Sequence, residues 1–336
     1  MKAKPFLLFV GPSLLMMLLF IAAPLVVVFV QSFQLTQNVF ERVERERCDP
    51  FGCTTEVETI PQLDEAGNPI SRTVWVGLEN YRALLRPELL REAFSGDGFG
   101  VVGSLPFYRA LRFTLTFTLL TLPCVILLGL GLALAIDTLA RQVRGPVIFV
   151  TLLPYIITPV IGALSIRWLF AGDGILTAGL ERLRGENLAM FAQGWTVELL
   201  MLFYRVWHVA PFAFIIFYAG LQTLPGEWLE AARVDGAGLG QRLRHIVLPA
   251  LGPLIVFVSL IHLMDTYRVF DEVIGFRAEA FRISLQWLTF SFLSPDDAGN
   301  RSIGRASASA ILTMVGIVIL LVPLLRNTWR EQRGRA

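Results

Sequence analysis

The chain has 336 residues, of which 54% are hydrophobic and 17% are charged, and its mean hydropathy is +0.61. Soluble domains carry about a quarter charged residues, so this composition excludes a single soluble globule. A net charge of +2 is too small for a nucleic-acid-binding surface. Lysine is absent after Lys4, which excludes the P-loop signature of a nucleotide hydrolase.

Nearly charge-free stretches of about 19 to 28 residues recur along the chain, each long enough to cross a membrane as a helix. In lipid an apolar segment forms a helix because its backbone groups must be paired within the segment. The sequence therefore predicts an all-α integral membrane protein with six transmembrane helices: Phe6–Phe33, Phe113–Ile136, Pro146–Ile166, Val206–Gly226, Ile246–Met264 and Ala306–Leu325. Prolines within them are expected to kink helices without ending them, at Pro24, Pro123, Pro159 and Pro211.

The basic residues predict the direction of these crossings. Lys2 and Lys4 precede the first span, which is too long for a cleaved signal peptide, so the N-terminus is expected in the cytoplasm. Alternation then places the C-terminus on the same side of a bacterial inner membrane. The predicted organisation is residues 1–33 for the N-terminus and first span, 34–106 for an external loop region, 107–326 for the membrane core with a cytoplasmic loop at 222–248, and 327–336 for a cytoplasmic tail.

The external region 34–106 contains a predicted β-hairpin and a cysteine pair. Thr54–Ile60 and Ile70–Val76 alternate polar with apolar residues and flank a run of turn formers, which is typical of a small hairpin. Cys48 and Cys53 precede it, and outside the inner membrane they could form a disulfide. Two free thiols are the alternative, and the loop contains no histidine that would support metal binding.

The loop between the fourth and fifth spans carries the most specific pattern. It predicts a short helix that begins near Pro225 and ends at Gly236, followed by an amphipathic stretch that enters the fifth span. Small residues at Ala231 and Ala232 would let another protein's backbone approach closely, with Glu230 and Arg233 at the rim. An amphipathic loop lying on the lipid surface is the alternative interpretation.

This loop resembles the EAA loop of permeases of bacterial ABC importers. The resemblance rests on Glu230-Ala231-Ala232, on Gly236, and on Ile246 followed by Leu248-Pro249. Further landmarks resemble the first of two permease subunits in the maltose-type carbohydrate branch of the family: Gly77-Leu78-Glu79-Asn80-Tyr81, Leu153-Pro154-Tyr155, Trp168-Leu169-Phe170 and Val269-Phe270-Asp271. The Gly-Gly-Gly-Pro often found after the last landmark is replaced by Gly275-Phe276-Arg277-Ala278.

The resemblance implies that the loop is a coupling helix that docks into a separate ATP-hydrolysing subunit. The residues assigned to coupling are Glu230, Ala231, Ala232, Arg233, Asp235 and Gly236. The implied partners are a second, homologous permease, two ATPase subunits, a periplasmic solute-binding protein and membrane lipid. No cofactor is implied in this chain, since ATP and Mg²⁺ belong to the ATPase.

Polar residues inside the spans are candidates for a solute path, because an ionisable group in the membrane usually faces a cavity or a partner. Together with the resemblance they give the expected substrate-binding residues: Tyr155, Arg205, Trp207, His208, Phe212, His262, Asp265 and Thr266. Aromatic faces and planar hydrogen-bonding groups suit a polyhydroxylated solute. Alternatives remain open: Trp207 and Phe212 could pack in the core, His208 could bond a helix carbonyl, and Asp265 could pair with Arg268.

The resulting expectation is an importer permease rather than an enzyme. The three histidines form no H-E-x-x-H pair and no G-x-S-x-G turn is present, which disfavours an intramembrane enzyme. A channel or passive scaffold would leave the patterned loop unexplained. A disaccharide or other α-glucoside is the first expectation for the solute, with polyols, sugar derivatives and glycerol phosphates as alternatives.

Overall fold

The computed structural model describes residues 3–49, 52–64, 70–95, 99–172, 174–185, 190–296 and 300–334. The chain divides into two compact units, which are described separately. The first comprises Met1–Phe107 with Leu288–Met314, and the second comprises Tyr108–Trp287 with Val315–Ala336.

The N-terminal part of the chain contains five helices among the described residues and a set of strands. The helices are α1 (Ala3–Met17), α2 (Ala23–Gln31), α3 (Glu79–Leu85), α4 (Pro87–Ser95) and α5 (Phe99–Ser104). The strands are β1 (Gln34–Asn38), β2 (Phe40–Asp49), β3 (Gly52–Pro61) and β4 (Ser71–Trp75).

The rest of the described chain is helical. Its α-helices are α6 (Pro106–Asp137), α7 (Arg141–Ile156), α8 (Pro159–Phe170), α9 (Ile175–Arg184), α10 (Gly194–Gln222), α11 (Gly226–Val234), α12 (Leu239–Arg242), α13 (Leu248–Tyr267), α14 (Asp271–Gly275), α15 (Leu285–Leu293) and α16 (Ile303–Gly334). A 3₁₀ turn lies at Ala278–Ala280.

Within the described residues, five helical segments are long and apolar enough to cross a membrane: Phe9–Gln31, Pro106–Asp137, Gly194–Gln222, Leu239–Tyr267 and Ile303–Arg326. They coincide with five of the six predicted spans, and Pro123 and Pro211 lie inside continuous helices as expected. The all-α membrane fold with a small strand-containing loop region is therefore confirmed.

The predicted third span, Pro146–Ile166, is not one helix. α7 and α8 are bent by 94° at a break between Ile156 and Pro159. The expectation that Pro159 would only kink a helix is wrong, because Pro159 opens α8 and Thr158 before it is extended, with ψ 128°. A proline disfavours the helical conformation of the residue before it, which explains the break.

Prolines also explain two wide turns in the spanning helices. One π turn, Leu18–Ala22, precedes Pro24, and another, Leu243–Val247, precedes Pro249. Because proline donates no backbone N–H and its ring crowds the carbonyl four residues earlier, the preceding turn widens. Neither proline ends the apolar segment in which it lies.

The strands of the region 34–106 pair differently from the predicted hairpin. β3 contains the first predicted strand and β4 covers all but the two end residues of the second, but β3 pairs with β2 and β4 pairs with β1, both antiparallel. Only two residues connect β2 to β3, so that loop closes at a smaller entropy cost than one through the turn formers at 64–69. β2 was not predicted because its sequence is rich in charged residues and does not alternate polar with apolar residues. Its register places Cys48 opposite Cys53, and the disulfide stays a prediction because the description of these strands is limited to the backbone.

Asn80, within one of the family landmarks, anchors the exit from the first span. Its amide donates to the carbonyl oxygens of Ser32 and Gln34, both at 2.9 Å. The hydroxyl of Tyr81 donates to Oγ of Ser32 at 2.8 Å. The two amide bonds pair backbone carbonyls just beyond the end of α2, so α3 holds the chain where β1 begins.

The second unit is built around α10, which packs against neighbouring helices along its length. One buried cluster contains Phe117, Met201, Tyr204 and Phe276, and another contains Phe214, Phe217 and Val258. Gly275 allows α14 to approach α8, since an added Cβ there would lie 2.5 Å from Cβ of Ala163. Two residues later, Arg277 adopts a left-handed φ of 51°, a conformation that favours glycine. This is the stretch in which the family's glycine run is replaced.

Candidate functional site: an intramembrane cavity and an exposed loop

The break between α7 and α8 frees backbone carbonyls that side chains of α10 satisfy. His208 Nε2 donates to the carbonyl oxygen of Ile157 at 3.0 Å, and the Tyr204 hydroxyl donates to that of Pro159 at 2.7 Å. Non-helical backbone at membrane depth is tolerated only inside protein or beside a wet cavity. The carbonyl bond that the sequence left open for His208 is therefore present.

A cavity of about 540 Å³ lies beside this break. Its volume falls within the range of small-molecule sites, roughly 300–1,000 Å³. Six of the eight expected substrate residues line it: Tyr155, Arg205, His208, Phe212, His262 and Asp265. The lining is completed by residues that were not assigned to substrate: Pro159, Val209, Ile261, Met264, Arg268 and Asp271.

Trp207 and Thr266 lie outside this lining. Trp207 is partly buried against the cluster around Tyr204, with the two ring centroids 6.2 Å apart. Thr266 is fully buried, and its Oγ1 accepts a hydrogen bond from Arg205 Nη2 at 3.0 Å. Both residues pack against residues that line the cavity or lie next to its lining. Contact of either residue with a solute stays a prediction.

Arg205 joins three helices through charge-assisted hydrogen bonds. From α10, Nη1 donates to Glu272 Oε1 of α14 at 2.8 Å, and Nη2 contacts Asp265 Oδ2 of α13. The side chains of Arg205 and Glu272 are only 6% and 1% exposed, whereas Asp265 is 58% exposed towards the cavity. Removing one partner of a buried ion pair costs about 3–5 kcal/mol, because the other charge is left unpaired.

The alternative pairing of Asp265 with Arg268 is not formed. Arg268 directly follows the last residue of α13, with φ −98° and ψ 27°, so it departs from the helical spacing that would align it with Asp265. Arg205 reaches Asp265 instead, across 60 residues of sequence. Arg268 remains exposed in the lining.

Aromatic and imidazole rings form one side of the cavity. Tyr155 and Phe212 are stacked, with ring centroids 5.7 Å apart and an interplanar angle of 25°. His208 lies 5.9 Å from the Tyr155 ring. His262 shares a hydrogen bond with Thr121 Oγ1 of α6 at 3.0 Å, which ties α13 to a further helix. The cavity thus combines a flat apolar face with groups that can donate or accept hydrogen bonds.

Asp271 and Glu272 were not assigned to the site from the sequence. Both lie just beyond the spanning part of α13, and burial, reinforced by the neighbouring Glu272 carboxylate, raises the pKa of Asp271 above its ordinary value. The Val269-Phe270-Asp271 landmark was the signal that could have identified them. With Arg205 and Arg268, the cavity and its wall hold two arginines and three carboxylates.

The loop between α10 and α13 folds as its sequence predicted. α11 begins after Pro225 and ends at Val234, and Gly236 follows with φ 77°. The amide of Ala237 closes the helix end by donating to the carbonyl of Ala232 at 2.9 Å. Glycine at this position is favoured because a left-handed residue commonly ends a helix.

One face of α11 forms an open groove of about 500 Å³ with the π turn Leu243–Val247 and the start of α13. Ala231, Ala232 and Asp235 line it together with Trp228, a spacing that puts all four on one helical face. His245, Ile246, Pro249 and Ala250 line the opposite side. Glu230 and Arg233 are exposed but lie outside the groove lining, and Gly236 ends the helix. The six expected coupling residues therefore fall into three groups: three line the groove, two are exposed beside it, and Gly236 lies beyond the end of the helix.

These features define the class of protein. The apolar spanning helices α10 and α13 and the bent pair α7–α8 line a solute-sized cavity, and an exposed, patterned loop follows α10, as in a membrane transport protein. Residues 98–327 match the family described as binding-protein-dependent transport system inner membrane component, and the chain belongs to that family. It is an integral inner-membrane permease subunit, which confirms the resemblance noted in the loop.

Two permease proteins of Bacillus subtilis resemble most of the chain. The probable ABC transporter permease protein YesP of Bacillus subtilis is 30% identical over 268 residues, which cover 76% of this chain and 78% of the relative. The arabinooligosaccharides transport system permease protein AraP of the same organism is 27% identical over 331 residues, covering 96% of this chain and 87% of AraP.

The fold is that of a solved transporter. A crystal structure of a bacterial ABC transporter involved in the import of the acidic polysaccharide alginate contains a chain that superposes with a TM-score of 0.69. The match covers 98% of this chain and 96% of that chain at 19% sequence identity. At this identity the likeness shows the fold alone.

Proposed function

We propose that the chain is the solute-translocating permease subunit of an ATP-driven importer for a carbohydrate, which a periplasmic binding protein delivers. The cavity beside the α7–α8 break is the observation that carries this proposal. The stacked rings of Tyr155 and Phe212 suit the C–H face of a sugar ring, and Asp265 and His208 suit its hydroxyls. The name of AraP, an arabinooligosaccharides transport system permease protein, supports the same solute class.

The charges of the cavity favour a neutral sugar, such as a disaccharide or another α-glucoside. Arg205 already contacts two carboxylates, and Arg268 shares the lining with Asp271. An acidic sugar or a glycerol phosphate would therefore meet no excess of positive charge. A polyol would fit the same groups, but it would make less use of the aromatic face.

The exposed helix α11 is the proposed coupling helix for a separate ATP-hydrolysing subunit. Its groove of small residues offers close backbone approach, while Glu230 and Arg233 at the rim offer charged contacts. Large exposed side chains at Trp228, Val234 and Leu239 support burial by another protein. ATP and Mg²⁺ would be bound by that partner, and this chain would require no cofactor of its own.

The proposed assembly places this chain beside a second, homologous permease above two ATPase subunits. The bent pair α7 and α8 would count as one crossing, which puts both termini and the loop 222–248 in the cytoplasm. Arg141 and Arg144, in the first turn of α7, would then also be cytoplasmic, in agreement with the positive-inside rule. The loops 34–106, 171–195 and 273–305 would face the binding protein.

Uptake by the complete transporter in proteoliposomes tests this function. The probes are radiolabelled maltose, trehalose and glycerol 3-phosphate, each offered with the cognate binding protein. We expect uptake of a neutral sugar, and a reduction on the order of tenfold in its rate for Phe212→Ala, equivalent to about 1.4 kcal/mol of lost contact.

The matched control is Phe203→Ala on the same helix. Phe203 is 56% exposed and lies outside the cavity lining, so its removal should leave uptake unchanged. Equal uptake by both variants would remove the cavity from the solute path. Transport of none of the sugars, together with transport of glycerol 3-phosphate, would contradict the proposed solute class.

A further inference from the structure

A second cavity, of about 350 Å³, lies beside the first turns of the spanning helix α6. Three arginines line it: Arg109 and Arg112 of α6, and Arg282 after the 3₁₀ turn. Glu198 of α10 is the one carboxylate in this lining. The solute cavity shares none of these residues, so this is a separate place in the second unit.

The ion pairing of this cavity leaves positive charge in excess. Arg282 Nε donates to Glu198 Oε2 at 2.7 Å, and this pair neutralises itself. Arg109 Nη2 donates only a long bond, 3.5 Å, to the carbonyl oxygen of Phe281. Among the described residues no carboxylate lies in ion-pair contact with Arg109 or Arg112, and both side chains are exposed. Two guanidinium groups are thus available to an anion.

The surface next to these arginines is apolar. Arg112, Thr116 and Leu120 follow one another at intervals of four on one face of α6, and all three line the cavity. The Thr116 hydroxyl is satisfied by the carbonyl oxygen of Arg112 at 2.9 Å, so it presents little polarity. Further along the helix, Leu127 is 69% exposed. Arg109 and Arg112 therefore lie at one end of an exposed apolar surface of α6 that includes Leu120 and Leu127.

We propose that this cavity binds the phosphodiester headgroup of an anionic phospholipid, with an acyl chain lying along Thr116 and Leu120. Arg109 and Arg112 lie in the first two turns of a helix that begins at Pro106, the depth at which headgroups meet a spanning helix. Each basic residue near an anionic headgroup contributes about 1 kcal/mol. A soluble anion or an acidic protein surface would use the arginines but would gain nothing from the leucines.

The test uses the full-length chain, purified in detergent and titrated with lipid while bound lipid is counted by native mass spectrometry. The probes are dioctanoyl phosphatidylglycerol, phosphatidylcholine with the same acyl chains, and glycerol 1-phosphate without acyl chains. We expect phosphatidylglycerol to bind at least about tenfold more tightly than either of the others, as two basic contacts of this size imply. Its binding should weaken as NaCl is raised, because salt screens exposed charges.

The variant Arg109→Gln/Arg112→Gln should lose this preference. The matched control, Arg182→Gln, removes an exposed arginine of α9 that lies outside the cavity and should retain it. Equal binding of the two lipids by the wild-type chain would overturn the proposal without any variant. An unchanged preference in the double variant would show that the lipid does not bind at Arg109 and Arg112. Equally tight binding of glycerol 1-phosphate would show that the site binds a phosphate group and gains nothing from the acyl chains. None of these outcomes depends on which solute is transported.

Discussion

The cavity beside the α7–α8 break and the loop that contains α11 lie in the same unit of the chain, but they are held together in different ways. The loop's groove is lined by residues between Trp228 and Ala250, and its helix is fixed by local features, a proline before its first turn and a glycine after its last. The cavity instead depends on Arg205, which reaches partners 60 and 67 residues away. Local features can be read from sequence spacing, whereas a charge network acquires its partners only when the helices pack.

This contrast predicts its largest effect at Arg205. Arg205→Met would leave Glu272 buried without a partner, which should lower the free energy of unfolding by about 3–5 kcal/mol. The measurement is thermal unfolding of the purified chain in detergent, compared with Arg268→Met. Arg268 is an exposed residue of the same cavity, and the structure gives it no ion pair among the described residues, so its removal should change the melting temperature little.

A second substitution separates the network from general packing. Arg205→Met/Glu272→Leu removes both charges and should recover much of the lost stability, since apolar replacement of a buried ion pair is often neutral. The three-helix network would be ruled out as a source of stability if Arg205→Met unfolded at the wild-type temperature. If the double variant were no more stable than Arg205→Met, the lost stability would instead be due to lost packing around Arg205.

A smaller effect is expected in the loop that contains α11, at Gly236. An alanine there must adopt a φ near 77°, which costs about 1–2 kcal/mol, so Gly236→Ala should loosen the end of α11. The measurement is hydrogen exchange in the full-length chain, where the amide of Ala237 should exchange faster. Co-purification of the ATPase subunit should fall in parallel.

Gly240→Ala is the matched control for the loop. Gly240 lies in α12 without a positive φ, and an added Cβ would meet nothing within 4 Å. Helix propensity then favours alanine by roughly 0.5–1 kcal/mol, so exchange should be unchanged or slower. Equal exchange rates in both variants would show that the glycine's conformation does not hold the loop.

The smallest effect concerns the strand pair β2–β3, whose pairing is local. The register sets Cys48 opposite Cys53, and antiparallel neighbours have Cα atoms about 4.5–5.5 Å apart, within the range of a disulfide. If the bridge forms, the chain denatured without reductant should take up one maleimide, at Cys124, and three after reduction. Cys48→Ser should take up two without reductant. Three adducts on the unreduced wild-type chain would exclude the bridge.

The spanning helices were predictable because each satisfies its own backbone in lipid, so length and hydropathy suffice to identify it. The helix α11 was predictable because Pro225 and Gly236 act on neighbouring residues. The strand partners were not, because alternation marks a strand such as β3 without specifying its neighbour. The break at Thr158 was missed although its cause is local, since Pro159 was treated like Pro123 and Pro211, which lie inside continuous helices.

The sequence by itself determined the class of membrane protein, five continuous spans, the position of the exposed helix α11 and six of the twelve residues that line the cavity. Only the tertiary structure decided that Asp265 and Glu272 share Arg205, that Trp207 and Thr266 stand behind the wall, and that Arg109 and Arg112 lie beside Arg282. Hydropathy and helix-ending residues act over a few turns of chain, where spacing is known in advance. The partner of a side chain depends on which helices pack together, and that is set by the close packing of whole surfaces.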